Sequence, residues 1–542
     1  MIKTAKHTSR TKASAEAERV TPRSPTSGKR PAAARGLPEL SAFFVCLVYL
    51  AVASSASAAD LAVLKPAAFT RYVQYFNTME DESVTNYISN ANSWDWLQKD
   101  IPLFECPDRT VEEMYYFRWW SFRKHLERTP DGFVFTEFLT RPLPVSSALG
   151  HQIREGRWLR DQKYLDDYVR YWLRNPFNRQ QLHKYSSWLD DALYQRYLVT
   201  EDKGFLVSLL GDLTRDYAEW EQERLATNGL FWQYDVRDAM EESISGSRTN
   251  QNFRPTINSY MFGNARALAA IARLAGNKQT ADEFDLKAVR LKRLVQEKLW
   301  NPEAKFFEVL RDDGRFADVR EEIGFIPWMF ELPDPGNGYE AAWAQLNDPK
   351  GFSAPYGITT AERRHPQFRS HGNGHCEWDG AVWPFATSQT LAALANVLRD
   401  YPQDFVTGRD YFDAFLTYVR SQYADGKPYI GEYLDETTGQ WINGKGGRSR
   451  YYNHSAFADL LITGVVGLRP QADDRVVVQP LLPDGTWDWF CLDGVKYHGR
   501  MLTIIWDKDG KHYGRGPGLM VLADGKGIAH TDRLESVNGK LP

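Results

Sequence analysis

The chain has 542 residues, of which 14% are aromatic, and carries 66 Lys and Arg against 70 Asp and Glu for a formal net charge of −4. A chain of this length buries a large core and accommodates one large domain with appendages. The acidic balance makes nucleic acid and anionic lipid poor partners, and 18 Trp with 27 Tyr exceed what packing requires, a surplus that suits the C–H faces of sugars.

Residues 1–59 differ from the rest. Nine Lys and Arg and three Asp and Glu lie in them, the basic ones ahead of an apolar run from Leu40 to Ala53, and the stretch closes on small residues ending at Ala59. This order of charged, apolar and small segments predicts a secretory signal peptide cut near Ala58 or Ala59. The apolar run is shorter than the ~20 residues of a membrane helix, and no later stretch qualifies. The sequence therefore predicts an exported protein, secreted or periplasmic, with no stable membrane insertion after cleavage; an uncleaved anchor is the alternative. Without these residues the chain is more acidic still, and Cys106, Cys376 and Cys491 remain, enough for one disulfide and a leftover thiol.

From Asp60 to about Arg141 the pattern is mixed, with one aromatic helical run, Val111 to Phe122, that reads as core. Helical periodicity then dominates. Trp158, Leu165, Tyr168, Val169 and Trp172 fall on one stripe of a helix from Gly156, and further helices are predicted over 187–198, 204–213, 259–275, 280–299, 382–398, 411–423 and 455–462. Gly276-Asn277 ends one helix and turns into the next. Long polar, aromatic loops at 364–379 and 427–453 interrupt the series, the kind of segment that carries function on a helical scaffold. No fixed-period repeat supports a solenoid, and the lengths fit a closed double ring of helices with its loops at one mouth. After Leu468 short strand-like runs separated by Asp-Gly turns predict a β-rich tail. The expected division is a signal peptide over 1–59, a mainly α (α/α)6 barrel with its N-terminal extension over 60–468, and the tail over 469–542.

Three stretches carry chemistry. Trp232 to Gly246 places Asp235, Asp238, Glu241, Glu242 and Arg237 beside Trp232 and Tyr234, which is poor core material. Asp238 with Glu241 three residues on also matches a capping box, so a helix start competes with an acid–base site there. His375 to Pro384 sets Glu377 and Asp379 around Trp378, with Trp383 following, as a sugar platform with hydroxyl-binding carboxylates. His371 and His375 lack a metal-type spacing, and neither metal nor cofactor is expected. Glu432 lies between Gly431 and Tyr433 in an otherwise uncharged stretch, an unusual setting for a solvated acid.

Together these stretches resemble the inverting (α/α)6-barrel glycosidases of the trehalase and processing α-glucosidase type, including the glycoside hydrolase family 63 and mannosylglycerate hydrolase-like branch. The marks are Asp-Ala-Met-Glu-Glu-Ser at 238–243, Trp-Asp-Gly-Ala-Val-Trp-Pro at 378–384, Gly-Glu-Tyr-Leu-Asp-Glu-Thr-Thr-Gly at 431–439 and the apolar close at 455–470. The resemblance implies a glycoside hydrolase in which Glu241 is the general acid and Glu432 the general base. The family's acid element is Ser-Gly-Met-Asp-Asn, so the acid stays open between Glu241 and Asp238. Trp232, Tyr234, Asp235, Arg237, His375, Glu377, Trp378, Asp379, Trp383 and Tyr433 are the candidates for holding a carbohydrate. A polysaccharide lyase using Asn258, Tyr452, Asn453 or His454, and a non-catalytic carbohydrate-binding protein, are the alternatives.

Overall fold

The computed structural model describes residues 62–542 apart from 81, 83–85, 141–142 and 444–447, so the expected signal peptide lies outside the described residues. Helices alternate between an outer and an inner position along the chain. The outer ones are α1 (Arg109–Lys124), α3 (Lys163–Arg174), α5 (Leu210–Arg224), α7 (Lys278–Lys298), a tight-turned segment at Tyr339–Gln345, and α10 (Gly408–Ser421). Each is followed by an inner one: α2 (Leu149–Gly156), α4 (Leu189–Thr200), α6 (Pro255–Leu274), α8 (Ile326–Met329), α9 (Pro384–Asp400) and α11 (Ala458–Leu460), the last continued by a wide π turn over Leu461–Val465. Every inner helix packs on the next and α11 packs back on α2, which closes an (α/α)6 ring.

Local chemistry explains these elements. Asp108 caps α1 by accepting the Thr110 and Val111 amides, and α1 is buried on nearly all sides because Thr70–Thr78 covers its outer face. Pro255 and Pro384 open α6 and α9, where a missing amide proton costs nothing. The inner helices α6 and α9 are buried over most of their residues, whereas α7 keeps an exposed face. Across the ring axis His151 of α2 meets Trp188 and Phe385 edge-on at 4.9 and 4.5 Å, and Trp188 packs on Tyr260 of α6. Gly150 allows this crossing, since a Cβ there would lie 2.1 Å from the Trp188 ring.

The expected helices appear with two shifts. The stripe from Gly156 starts instead at Lys163, because Trp158 sits in a turn where its indole donates to Asp459 at 2.7 Å. The run over 204–213 breaks into Lys203–Ser208 and α5. No described helix is long and apolar enough to cross a membrane, and Cys106, Cys376 and Cys491 are all free thiols.

The tail forms two sheets. A five-stranded antiparallel sheet runs in the order β1 (Leu103–Glu105), β4 (Trp489–Tyr497), β5 (Arg500–Asp507), β6 (Gly518–Ala523) and β7 (Lys526–Thr531). A three-stranded one joins β2 (Leu468–Arg469), β3 (Arg475–Val478) and β8 (Val537–Lys540). The edge strand β1 comes from the segment before the ring, with Leu103 opposite Asp493 and Glu105 opposite Cys491. A bulge at Gly494, whose φ is 76°, interrupts β4 and presents its carbonyl to Arg160, which donates through Nε and Nη2 at 3.0 and 2.8 Å. Asp493 also accepts the Val63 and Leu64 amides, so both ends of the described chain are tied to this sheet.

The ring closes on one carboxylate. Glu155, in the last turn of α2, accepts the Phe457, Ala458 and Asp459 amides that open α11, at 2.9 to 3.2 Å. It also pairs with Arg118 of α1 at 2.8 Å, and Arg118 continues to Asn453 and the Ser455 carbonyl. Replacing Glu155 by Ala strands a buried guanidinium and three amides. The expected loss is about 3–5 kcal/mol in denaturant unfolding, with the Arg157–Asp459 pair of the same junction leaving the rest of the ring assembled.

Candidate active site

Each inner helix is entered through a loop, so the loops before α2, α4, α6, α9 and α11 gather at the N-terminal mouth of the ring. They enclose a cavity lined by Glu137, Phe138, Lys184, Tyr185, Glu241, Cys376, Trp378, Trp383, Phe385, Glu432, Arg448, Tyr452 and His454. Several of these loop residues are held at positive φ without being glycine: Ala239 at 58°, Glu242 at 65°, Cys376 at 42°, Ile430 at 51° and Tyr451 at 56°. Strained backbone of this kind persists where the surroundings force it, and here it flanks Glu241, Glu432 and Tyr452.

Glu241 and Glu432 both reach the cavity. No helix begins at Asp238; the chain makes a single tight turn over Asp235–Arg237 and then irregular turns, so the acids there cap nothing. Burial pushes the Glu241 carboxyl up to about 7, and the charges of Asp235 and Glu432 push the same way. Glu432 is 3% exposed, and its two oxygens receive Ser449 Oγ at 2.9 Å, Asn443 Nδ2 at 3.3 Å and Arg448 Nη2 at 3.4 Å. These donors fix the direction of the carboxylate.

Asp238 has a different place. Its oxygens are taken by Arg254 Nε at 2.7 Å and Ser186 Oγ at 2.6 Å, it is buried, and it does not line the cavity. Arg254 also reaches Ser245 and Ser243, so the pair anchors the loop that presents Glu241. Asp235 lies buried behind Glu241, its Oδ1 accepting the Val236 amide.

The aromatic platform forms, though deeper than a surface ledge. Trp378 and Trp383 stack at 4.4 Å, and Trp383 stacks on Tyr433 at 4.5 Å with an 8° interplanar angle. Trp378 and Trp383 line the cavity while Tyr433 backs them, its hydroxyl accepting the Cys376 amide. Glu377 and Asp379 do not line the cavity. Glu377 pairs with Arg369 at 2.6 Å and accepts the Gly374 amide, and Asp379 holds His371 through its ring and its amide. Two acids flanking a tryptophan in sequence alternate in direction, so when Trp378 enters the stack they tether the loop instead. His375 is exposed.

Trp232, Tyr234 and Arg237 stand apart from the cavity. Trp232 packs edge-on against Tyr234 and under Arg224, and Arg237 donates to the Lys184 carbonyl beside a separate surface depression that holds His183. Asn258 of the lyase alternative is structural, spanning the Phe231 amide and carbonyl. Two groups of three potential metal ligands occur among the described residues, His183 with Asp216 and Glu219, and Glu201 with Asp474 and His498, neither of them in the cavity.

Glu137, Phe138, Lys184, Tyr185 and Arg448 are cavity residues that sequence reasoning missed. Glu137 has the same signature that singled out Glu432, one acid among aromatic and apolar neighbours in Val134-Phe-Thr-Glu-Phe-Leu139. The mixed pattern of its surroundings hid it.

The ring, the mouth cavity and its carboxyls together define a glycosidase-type domain, and comparison with known proteins agrees. Residues 141–455 match the model of the mannosylglycerate hydrolase MGH1-like glycoside hydrolase domain, and residues 468–529 match the C-terminal domain of glycosyl hydrolase family 65. The chain belongs to the MGH1-like glycoside hydrolase family. Among solved structures it is similar to a sialidase, at 51% identity and a TM-score of 0.87 over 90% of this chain and 46% of that one. A family 78 rhamnosidase of Bacillus sp. GL1 shares the fold at 14% identity and a TM-score of 0.55, over 78% of this chain and 41% of the other. An uncharacterised protein of Borreliella burgdorferi is 23% identical over 215 residues, 39% of this chain and 44% of its own length. The matched regions thus span less than half of the sialidase and of the Borreliella protein.

Cys376 reports on the charge of the cavity. Burial first, then Glu241 and Glu432, push its thiol up to about 12. At pH 8 its alkylation by iodoacetamide, read by mass spectrometry, is expected to be roughly 1,000-fold slower than that of a free cysteine near 8.5, and to quicken when Glu432 is replaced by Gln.

Proposed function

We propose that the protein is an exported hydrolase that cleaves a glycosidic bond of an oligo- or polysaccharide with inversion, using Glu241 as general acid and Glu432 as general base. The observation that carries this reading is the pairing of the two carboxyls in one cavity, with Glu241 pushed up to about 7 by burial and by neighbouring negative charge. Membership of a glycoside hydrolase family supports it. A non-catalytic protein has no use for a buried acid poised at neutral pH opposite an oriented carboxylate.

Acetal chemistry sets the roles. Glu241, protonated, gives its proton to the glycosidic oxygen as the bond to the anomeric carbon breaks. Glu432 takes a proton from water, whose oxygen attacks the opposite face of that carbon, so the anomeric configuration inverts. The proton delivered and the proton removed balance, and both carboxyls return to their starting states through solvent. Trp378 and Trp383 offer the flat apolar wall for the sugar. Asp238 acts through Arg254 on the loop rather than on the substrate. The expected signal peptide supports export, and the first residue of the mature protein, read by N-terminal sequencing, tests that part separately.

The mechanism is checked on a panel of aryl and alkyl glycosides and polysaccharides. Glu432→Gln is expected to abolish turnover while sugar binding persists, and NMR of the first-formed product is expected to show the inverted anomer; normal turnover would remove Glu432 from the reaction. Glu241→Gln is expected to slow alkyl glycosides far more than dinitrophenyl glycosides, which leave without a proton, whereas Asp238→Asn lowers both alike. With Glu241 as the acid, kcat/KM falls tenfold per pH unit above about 7. Asp235→Asn removes a negative charge that holds the proton on, so this limb moves to lower pH.

A further inference from the structure

The cavity contains a third carboxyl that the acid–base pair does not use. Glu137 is 5% exposed and fixed from several sides. Its carbonyl accepts the Asn453 amide at 3.0 Å, and the Thr136 carbonyl beside it accepts both Gln152 Nε2 and Asn453 Nδ2. The strand end that carries Glu137 is thereby stitched to the same loop that supplies Ser449, the partner of Glu432. The seam holds the backbone from which the Glu137 side chain enters the cavity.

The groups bonded to the carboxyl are uncharged hydroxyls. Ser147 Oγ lies 3.4 Å from Oε1, and the Tyr452 hydroxyl is hydrogen-bonded to it. The cavity guanidinium, Arg448, is engaged with Glu432 and lies over the Phe138 ring. His454 is kept neutral by burial, and the charges that act on Glu137 are those of Glu432 and Glu241. Burial first, then Glu432, push its carboxyl up to about 8, so it holds its proton at neutral pH. A carboxylic acid offers one O–H donor and a carbonyl acceptor, the same complement as the hydroxyls of a sugar.

We propose that Glu137 contacts the substrate as a neutral carboxylic acid, donating its O–H to a ring hydroxyl of the sugar bound between Glu241 and Glu432, with Tyr452 holding it in place. This rests on the glycosidase reading of the cavity. Two further groups point to the same deep wall as a hydroxyl-binding surface: His454 and Trp378 line the cavity, and His454 Nε2 and Trp378 Nε1 are buried with no protein hydrogen-bond partner. Buried polar atoms of this kind require a partner, and a polyhydroxylated ring supplies several. The neutral form matters because a second negative charge beside Glu432 would only accept hydrogen bonds and would repel the ionised base.

The test compares wild type, Glu137→Gln and Glu137→Ala between pH 5 and 9 on the aryl glycoside that wild type hydrolyses best, with Glu432→Gln as the inactive reference. Gln keeps one donor and one acceptor and cannot ionise. Its kcat/KM is expected within about tenfold of wild type near pH 6, whereas Ala is expected to lose about 100-fold, chiefly through KM. A Gln variant as inactive as Glu432→Gln would overturn the proposal by showing that Glu137 must ionise. An Ala variant with unchanged kcat/KM would overturn it by showing that nothing is contacted.

Thermal melts give a readout independent of turnover. The unfolded chain releases the Glu137 proton near 4.3 and the folded chain only near 8. Between these values the folded state binds the extra proton, so the stability of wild type relative to the Gln variant falls as pH rises and levels off above about 8. Glu241, Glu432, Tyr452, Tyr185, His454, Arg448, Lys184 and Cys376 line the same cavity as Glu137 and are common to both proteins, so they largely cancel in the difference. A difference that stays flat from pH 5 to 8 would overturn the neutral carboxyl. If wild type hydrolyses no glycoside, the hydrolase reading fails by that result alone, and the melts still decide the state of Glu137.

Discussion

The ring depends on a helix that cannot stand by itself. Helix α11 has three residues before it widens into a π turn, far below the length at which a helix is stable in water. Its start is held by the Glu155 carboxylate, which belongs to the first inner helix and is itself held by Arg118 of the first outer one. One side chain thus joins the beginning of the barrel to its end. The loop from 427 to 457, with Glu432 on it, is fastened at its far end to this junction. Ring closure thus fixes the far end of the loop, while Ser449, Asn443 and Arg448 within the loop orient the Glu432 carboxylate.

The cavity uses shared burial to separate the states of its acids. Glu241 and Glu137 are both raised by desolvation and by the Glu432 charge, while Glu432 receives three donors that the others lack. Asp238 has its own cation in Arg254 and is withdrawn from the competition. Like residues acquire unlike duties because hydrogen bonds and counter-charges are distributed unevenly among them. The aromatic stack of Trp378, Trp383 and Tyr433 contributes by excluding water from one wall, which strengthens every electrostatic effect inside.

Much of this was legible in the chain. Apolar periodicity located the long helices, since α6, α7, α9 and α10 bury the faces their sequences display. Glu241, Glu432, Trp378 and Trp383 stand in settings unsuited to plain core or plain surface and all line the cavity, while only the family resemblance separates Glu241 and Glu432 from the other acids. Other features needed three dimensions. The strand β4 was hidden by Asp493-Gly494, which reads as a turn but forms a bulge because Arg160 receives the Gly494 carbonyl. Glu377 and Asp379 looked like sugar ligands until Arg369 and His371, remote in function but near in space, claimed their oxygens. Glu137 was missed because its loop precedes an inner helix, α2, whose eight residues are too few to show a clear period.

The pairing of β1 with β4 has an effect on how the chain is made. Leu103–Glu105 leaves the ribosome before the ring is made, yet the strand it pairs with follows the ring. Until then β1 is an edge without a neighbour and the whole ring lies between the two halves of an unfinished sheet. This sheet therefore works as a clasp fastened after the ring: it draws the segment before α1 against the segment after α11 and holds the circle from outside, as Glu155 holds it from within. A chain that stops after the ring would keep every residue of the cavity and leave that clasp open.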